Sequence, residues 1–373
     1  MPSSFATFIH LAALVGLAVA IPSNITVLGS RTETAKRATC TVNSVASAAN
    51  LSACTAVIIT AFTVPAGNTI TIAAASGATV TMTGDITFAK TTSAGPLITF
   101  DTDNIVFNGG DHNINGNGAL YWDGLGTNGG VAKPHPFVKF KGFGTFEDVT
   151  VLNSPAQAIS VGTTGGAALI QGITVDNSAG DAGALGHNTD GFDISASSVT
   201  VSKCVVKNQD DCVAINSGST LVIEDNTCTG GHGISIGSIA TGKTVSGVTI
   251  ARNTVGPGLY GMRIKVDADA TGASVSNVKY EANTITGSTE YGAYTISDTS
   301  YPDDDSTPGT GAPISGISFT GGVTNVAVAG SAERLVIDCG ACSGTWDFSD
   351  LVATGGKGSI IAANKAVISG GTF

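Results

Sequence analysis

The chain reads as an all-β solenoid, a stack of short strands wound into coils, and three observations predict it. First, an asparagine-closed phrase recurs: Thr174-Val175-Asp176-Asn177-Ser178, Val206-Lys207-Asn208-Gln209, Ile223-Glu224-Asp225-Asn226-Thr227, Ile250-Ala251-Arg252-Asn253-Thr254 and Tyr280-Glu281-Ala282-Asn283-Thr284. Units of about 20 to 30 residues are too small to bury an apolar face alone and must stack on their neighbours. Second, β-branched runs such as Ser198-Val199-Thr200-Val201-Ser202 and Gly247-Val248-Thr249-Ile250 lie between the phrases, bounded by Gly, Asn, Asp and Ser. Third, 50 Gly, only 12% charged residues and a mean hydropathy of +0.28 describe a large β core with many tight turns. Few segments pair a 3.6-residue apolar period with good helix formers, which argues against βαβ units.

From the N-terminus, an apolar run Leu11–Ala20 ends in Ala18-Val19-Ala20, the small-x-small pattern of a secretory cleavage site, although a basic n-region is missing. Residues 1–20 are therefore expected to be a signal peptide. Residues 21–37 end in Lys36-Arg37 and are expected to be a propeptide, leaving residues 38–373 as one catalytic domain. Next comes the one plausible helix, Val42 to Ala53, expected to cap the open first coil. Asn50-Leu51-Ser52 is the only glycosylation sequon after Arg37 and permits one N-linked glycan.

Secretion places the seven cysteines in an oxidising compartment, so three bridges and one spare thiol are the natural arithmetic. Cys40 with Cys54 would tie the N-terminus across the cap helix, Cys212 with Cys228 would join adjacent coils, and Cys339 with Cys342 would close a tight loop. Cys204, in an alternating Val-rich run, reads as a small buried hydrophobe and free thiol.

The formal charge is −11, and loss of Arg31, Glu33, Lys36 and Arg37 makes it −13. Such an acidic surface argues against nucleic acid and anionic membranes as partners. A polyanionic substrate is compatible only where cations are concentrated, and Arg263 and Lys265, two apart on one strand, would point the same way.

Four strings carry the chemistry: Asn188-Thr189-Asp190, Gln209-Asp210-Asp211, Gly231-His232-Gly233 and Arg263-Ile264-Lys265. Asp190 to Asp211 is 21 residues, Asp211 to His232 is 21 and His232 to Arg263 is 31, so each string is expected on the next coil, within reach of one sugar ring. Crowded carboxylates cannot all ionise easily; one stays protonated to donate while another activates water, which is what glycoside hydrolysis requires. Consecutive residues on a strand face opposite sides, so Asp210 and Asp211 share the cleft only if the chain bends after Asn208-Gln209. Taken alone, an Asp-Asp pair is a solvated turn, His232 a structural histidine, and Arg263 and Lys265 a strand edge; the four-string array outweighs each of these.

That array resembles the fungal polygalacturonases, pectin-cleaving glycoside hydrolases of right-handed parallel β-helix fold. The likeness covers Gly186-His187-Asn188-Thr189-Asp190-Gly191-Phe192-Asp193-Ile194-Ser195, Lys207-Asn208-Gln209-Asp210-Asp211-Cys212-Val213-Ala214-Ile215-Asn216 and Gly230-Gly231-His232-Gly233-Ile234-Ser235-Ile236-Gly237-Ser238. It runs from about Cys40 to the C-terminus and looks nearest to secreted endo-acting enzymes of basidiomycete fungi. The resemblance implies that Asp211 is the general acid, that Asp190 and Asp210 hold and deprotonate the attacking water, and that His232 tunes protonation beside them. It implies that Arg263 and Lys265 grip galacturonate carboxylates and that Asn188 supports the site. A tyrosine contact is also implied, for which Tyr291 and Tyr301 both qualify, although the segment Tyr291–Tyr301 departs from the family's apolar-then-glutamine pattern. The implied partner is polygalacturonate or pectin, the implied chemistry inverting, and the expected state a monomer. The coil spacing of about 4.8 Å stands against inversion, since it is nearer the carboxyl separation of retaining enzymes.

Several strings carry less. Gly256-Pro257-Gly258-Leu259-Tyr260-Gly261 fits a dinucleotide fingerprint, but no helix pattern follows. Zinc at Cys212, Cys228 and His232 conflicts with oxidised cysteines, and Pro302-Asp303-Asp304-Asp305 lacks the spaced ligands of a calcium loop. No cofactor or metal is expected. Trp122 and Trp346 read as packing residues rather than sugar platforms. The rival functions are an exo-acting polygalacturonase or rhamnogalacturonan hydrolase, a calcium-dependent lyase, and a non-catalytic carbohydrate-binding β-helix.

Overall fold

Alternation of inward Val, Ile and Phe with outward Thr and Ser gives the chain strands, many of only three to five residues, too narrow to stand alone. The computed structural model describes residues 38–299 and 307–373, and winds them into 31 strands whose pairings are all parallel. The pairs form three columns, the three faces of a parallel β-helix. One column runs through Ile98, Val138, Ile159, Phe192, Val213, Ile234 and Met262 in register. A second runs through Val199, Leu221, Val248, Val278 and Ile317, and a third through Val175, Val206, Cys228, Val255, Ile285 and Val326. Inward side chains stack coil on coil into a continuous core that includes Phe100, Phe107, Phe140, Phe146 and Phe192. Phe140 and Phe146 stack with ring centroids 4.1 Å apart. Each buried Val, Ile or Phe contributes about 1.5–3 kcal/mol, so the stack supplies what one coil cannot.

The asparagine phrase occupies two corners rather than one. Asn226, Asn253 and Asn283 sit where the second column turns into the third, while Asn177 and Asn208 sit where the third turns into the first. In the former, the backbone N and Nδ2 of Asn226 donate to Oδ1 of Asn253 at 3.0 Å, and Asn253 donates likewise to Asn283 at 2.9 and 3.0 Å. The ladder satisfies buried polar groups that no water reaches.

The expected helix Val42 to Ala53 is not there. One helical turn, Val45–Ala48, is all that forms, closed by a Ser44/Ser47 capping box and by Ala49 N–H bonding Ala46. Asn43, Ser44, Ser47, Asn50 and Ser52 compete for local backbone bonds, which favours caps and turns over a longer helix. Ala48, Leu51 and Cys54 nevertheless join the core. Asn50 is exposed in the turn that follows.

All three expected disulfides form, Cys40–Cys54, Cys212–Cys228 and Cys339–Cys342, and Cys204 is free and buried. Trp122 and Trp346 are buried, their indole N–H groups donating to the carbonyls of Ser154 and Ser343. Gly258–Asp267 is a strand, not the helix that a dinucleotide fingerprint would open. Among the described residues no helix is long and apolar enough to cross a membrane. The expected signal peptide 1–20, propeptide 21–37 and Tyr301 lie outside the described residues.

Candidate active site

Phe192, Val213 and Ile234 are in register, so the residues two positions before them, Asp190, Asp211 and His232, occupy equivalent places on three successive coils. The chain bends at Gln209-Asp210 and resumes as a strand only at Val213, which lets both aspartates reach the same corner. The Cys212–Cys228 disulfide fastens this corner to the next coil directly behind Asp211. Gly231 and Gly233 make the approach close enough. A Cβ on Gly231 would lie 2.0 Å from the Asp210 carbonyl, and one on Gly233, whose φ is +72°, would lie 2.0 Å from that of Gly261.

Arg263 breaks the phase. Its register partner is Ser235, not His232, and the neighbour of His232 on the next coil is Tyr260. The long guanidinium arm covers the offset and pairs with Oδ1 of Asp211, while Lys265 Nζ reaches Oδ2 at 3.1 Å. Ser235 Oγ donates to Oδ1 at 2.7 Å and accepts from Arg263 Nε at 2.7 Å. Asp211 is thus saturated, and only 2% exposed.

Asp210 accepts from His232 Nδ1 at 3.0 Å, Asn188 Nδ2 at 3.1 Å and the backbone N–H of Asp211 at 2.8 Å. Burial pushes its carboxyl up, but the His232 hydrogen bond and charge, with Lys265 and Arg263 behind, hold it well below the usual range. Asn188, in the left-handed conformation with φ 50° that asparagine tolerates, also accepts from Thr127 N at 3.0 Å and so is braced between two loops. Asp190 is the opposite of Asp210. Burial first, then the charges of Asp210, Asp193 and Asp211, push its carboxyl well above the ordinary value, so it keeps its proton. Its Oδ1 is buried with no hydrogen-bond partner among the described residues.

Two residues of this corner escaped the sequence reading. Asp193 lies on an outward position of Phe192–Ser195; burial, then Asp211 and Asp210, raise its carboxyl to about 7 against the pull of Lys265 and a hydrogen bond from Asn216. Alternation with the inward Phe192 and Ile194 was the available signal. Ser235, fully buried between Ile234 and Ile236, carried none.

Beyond His232 runs an aromatic row. Tyr260 meets the His232 ring edge-on at 5.4 Å, lies 4.4 Å from the Arg263 guanidinium and stacks on Tyr291 at 5.8 Å, with Tyr294 packed against both. The structure therefore brings Asp190, Asp210, Asp211, His232, Arg263, Lys265 and Asn188 together, and places Tyr291 along the same face. Ligand atoms of Asp210, Asp211 and His232 lie within 4.8 Å of one another. With two cations already on Asp211, the set has the chemistry of a proton-transfer centre rather than of a metal cage.

The model for glycosyl hydrolases family 28 matches residues 54–369. The chain belongs to that family. It is 41% identical over 314 residues to an endo-polygalacturonase of Sclerotinia sclerotiorum, covering 82% of this chain and 80% of that protein. It is 40% identical over 359 residues to endopolygalacturonase I of Aspergillus niger, covering 94% and 95%. Among solved structures, endopolygalacturonase I from Stereum purpureum, complexed with two galacturonates, superposes with a TM-score of 0.88 at 57% identity, over 90% of this chain and all of that one. The matched residues 54–369 include the corner of crowded carboxylates described above.

Proposed function

We propose that the protein is a secreted, monomeric endopolygalacturonase that hydrolyses internal α-1,4-galacturonosyl linkages of polygalacturonate by single displacement. The observation that carries this reading is one corner holding three aspartates, Asp190 pushed toward its neutral form and Asp210 held toward its ionised form, beside two cations suited to a polyuronate. The endo-acting relatives, two of them covering four fifths or more of both chains, support internal cleavage. Signal segment, dibasic site and three disulfides support secretion, and the exposed Asn50 supports one N-linked glycan.

Asp210, held ionised by His232, takes a proton from a water anchored by the unpartnered Oδ1 of Asp190. The water oxygen attacks the anomeric carbon as the C–O bond to the leaving sugar breaks, and Asp211 gives its proton to that leaving oxygen. Asp211 can do so only after Arg263 and Lys265 turn from it to the substrate's carboxylate and its carboxylate takes up a proton from water. Oxygens of Asp210 and Asp211 within 4.8 Å are nearer the roughly 5–5.5 Å of retaining enzymes than the roughly 6.5–9.5 Å of inverting ones. What supports direct attack by water over a covalent intermediate is a second anchor for that water, the buried Oδ1 of Asp190.

A product time course on polygalacturonate tests the activity. Mixed oligomers appearing early with new reducing ends are expected. Release of monomer alone would mean exo action, ultraviolet-absorbing unsaturated products would mean a lyase, and binding with no new reducing ends would mean a non-catalytic module.

A further inference from the structure

We propose that Ser235 is a positioning residue, holding the Asp211 carboxyl in its reactive orientation while Arg263 and Lys265 exchange Asp211 for the carboxylate of an arriving galacturonate unit. The inference rests on the reading of Asp211 as general acid. Oδ1 of Asp211 receives Arg263 and the Ser235 hydroxyl, and Oδ2 receives Lys265 at 3.1 Å. A carboxylate serving as counter-ion to two cations is not a proton donor, so the clamp must open, and Asp211 take up a proton from water, before hydrolysis. The substrate supplies what opens it, since each ring carries a carboxylate of the same charge and shape as Asp211.

Opening the clamp frees Asp211 to rotate unless an uncharged partner stays behind. Ser235 meets that need. It is fully buried inside the strand Ile234–Ile239, in register with Ala214 on one side and Arg263 on the other, so its position does not depend on substrate. A hydroxyl keeps its bond to Oδ1 whether the carboxyl is neutral or ionised. Its second bond, from Arg263 Nε at 2.7 Å, lies on the near side of the guanidinium, so Arg263 can pivot its Nη groups toward substrate without leaving the serine. The charged and titratable groups facing Asp211 are Asp190 and Asp193 from the preceding coil, Asp210 in its own turn, and His232, Arg263 and Lys265 from the coils that follow.

The test is Ser235→Ala in the full chain, with thermal midpoint, kcat, KM and the pH profile of kcat/KM on polygalacturonate. A folded variant is expected to lose about tenfold or more in kcat, with KM within about threefold of wild type. Because Ser235 donates to the ionised carboxylate, its loss disfavours the ion, and the alkaline limb of kcat/KM should move to higher pH. A merely structural serine would leave that limb in place. Wild-type kcat with an unmoved limb, or a raised KM at unchanged kcat, would overturn the inference. Should Ser235→Ala fail to fold, Ser235→Cys, of similar shape and weaker donor strength, is measured with the same readouts. Asp211→Asn run in parallel separates the two levels: inactive Asp211→Asn with normal Ser235→Ala refutes the serine's role alone, whereas active Asp211→Asn refutes the functional reading beneath it.

Discussion

Two corners of the coil bury asparagines and aspartates, and they handle them in opposite ways. At the ladder corner Asn226, Asn253 and Asn283 pass hydrogen bonds from coil to coil and end on Thr324 Oγ1 at 3.2 Å. At the catalytic corner Asn208 keeps its Oδ1 unpartnered among the described residues, as does Asp190, and like charges crowd around them. The first arrangement closes on itself and stabilises the stack. The second leaves acceptors open and charges opposed, at a cost in stability that only a ligand or a reacting water relieves.

Breaking each corner should therefore give different phenotypes. The largest effect is expected from Asp211→Asn, which removes the proposed proton donor while keeping shape: turnover of polygalacturonate should fall about 10²–10⁴-fold with an unchanged circular dichroism spectrum. Asn253→Ala attacks the ladder instead. It removes the acceptor of the buried Asn226 backbone N–H and the side-chain donor to Asn283 Oδ1 and the Ile223 carbonyl, so chemical denaturation should show a loss of about 2–4 kcal/mol, with kcat of the folded fraction intact. Lys265→Ala should raise KM about 10- to 100-fold, as expected of a lost charge-assisted contact, with a smaller change in kcat.

The smallest effect sharpens the comparison by pH. Asp193 titrates near 7 in the folded chain and near 4 when unfolded, so between those values the unfolded chain has released a proton that the folded one retains. Stability contributed by this group is therefore complete below about pH 4 and declines as pH rises toward 7. Asp190 adds a slope of the same sign. Asp210, whose carboxyl is held low, acts oppositely, losing its contribution as pH falls below about 4. Melting temperatures of Asp193→Asn and wild type should diverge progressively between pH 4 and 7, in favour of the variant.

The stacking was legible because its signals are local: β-branched alternation, Asn at turns, and equal separations of Asp190, Asp211 and His232 that became equal phase. The disulfides were legible for the same reason, since each joins residues of one coil or its neighbour. The asparagine phrases looked alike in sequence yet fell at two corners, because corner identity depends on how many residues each column takes up. Arg263 was legible as a site residue but not in its true phase, which the irregular segment after His232 sets through long-range pairing. Ser235 and Asp193 join the corner only through the coils above and below. The helix Val42 to Ala53 was overread because its serines and asparagines, neutral in composition, act as caps once Cys40–Cys54 pins the segment.

The proposed mechanism turns on a water, held by Asp190 and Asp210, that attacks in a single displacement. Proton NMR of the first-formed reducing end tests that most directly. Cleavage of the α-linked polymer should release the β-anomer before mutarotation; an initial α-anomer would mean a covalent intermediate on one of these aspartates and would contradict the account.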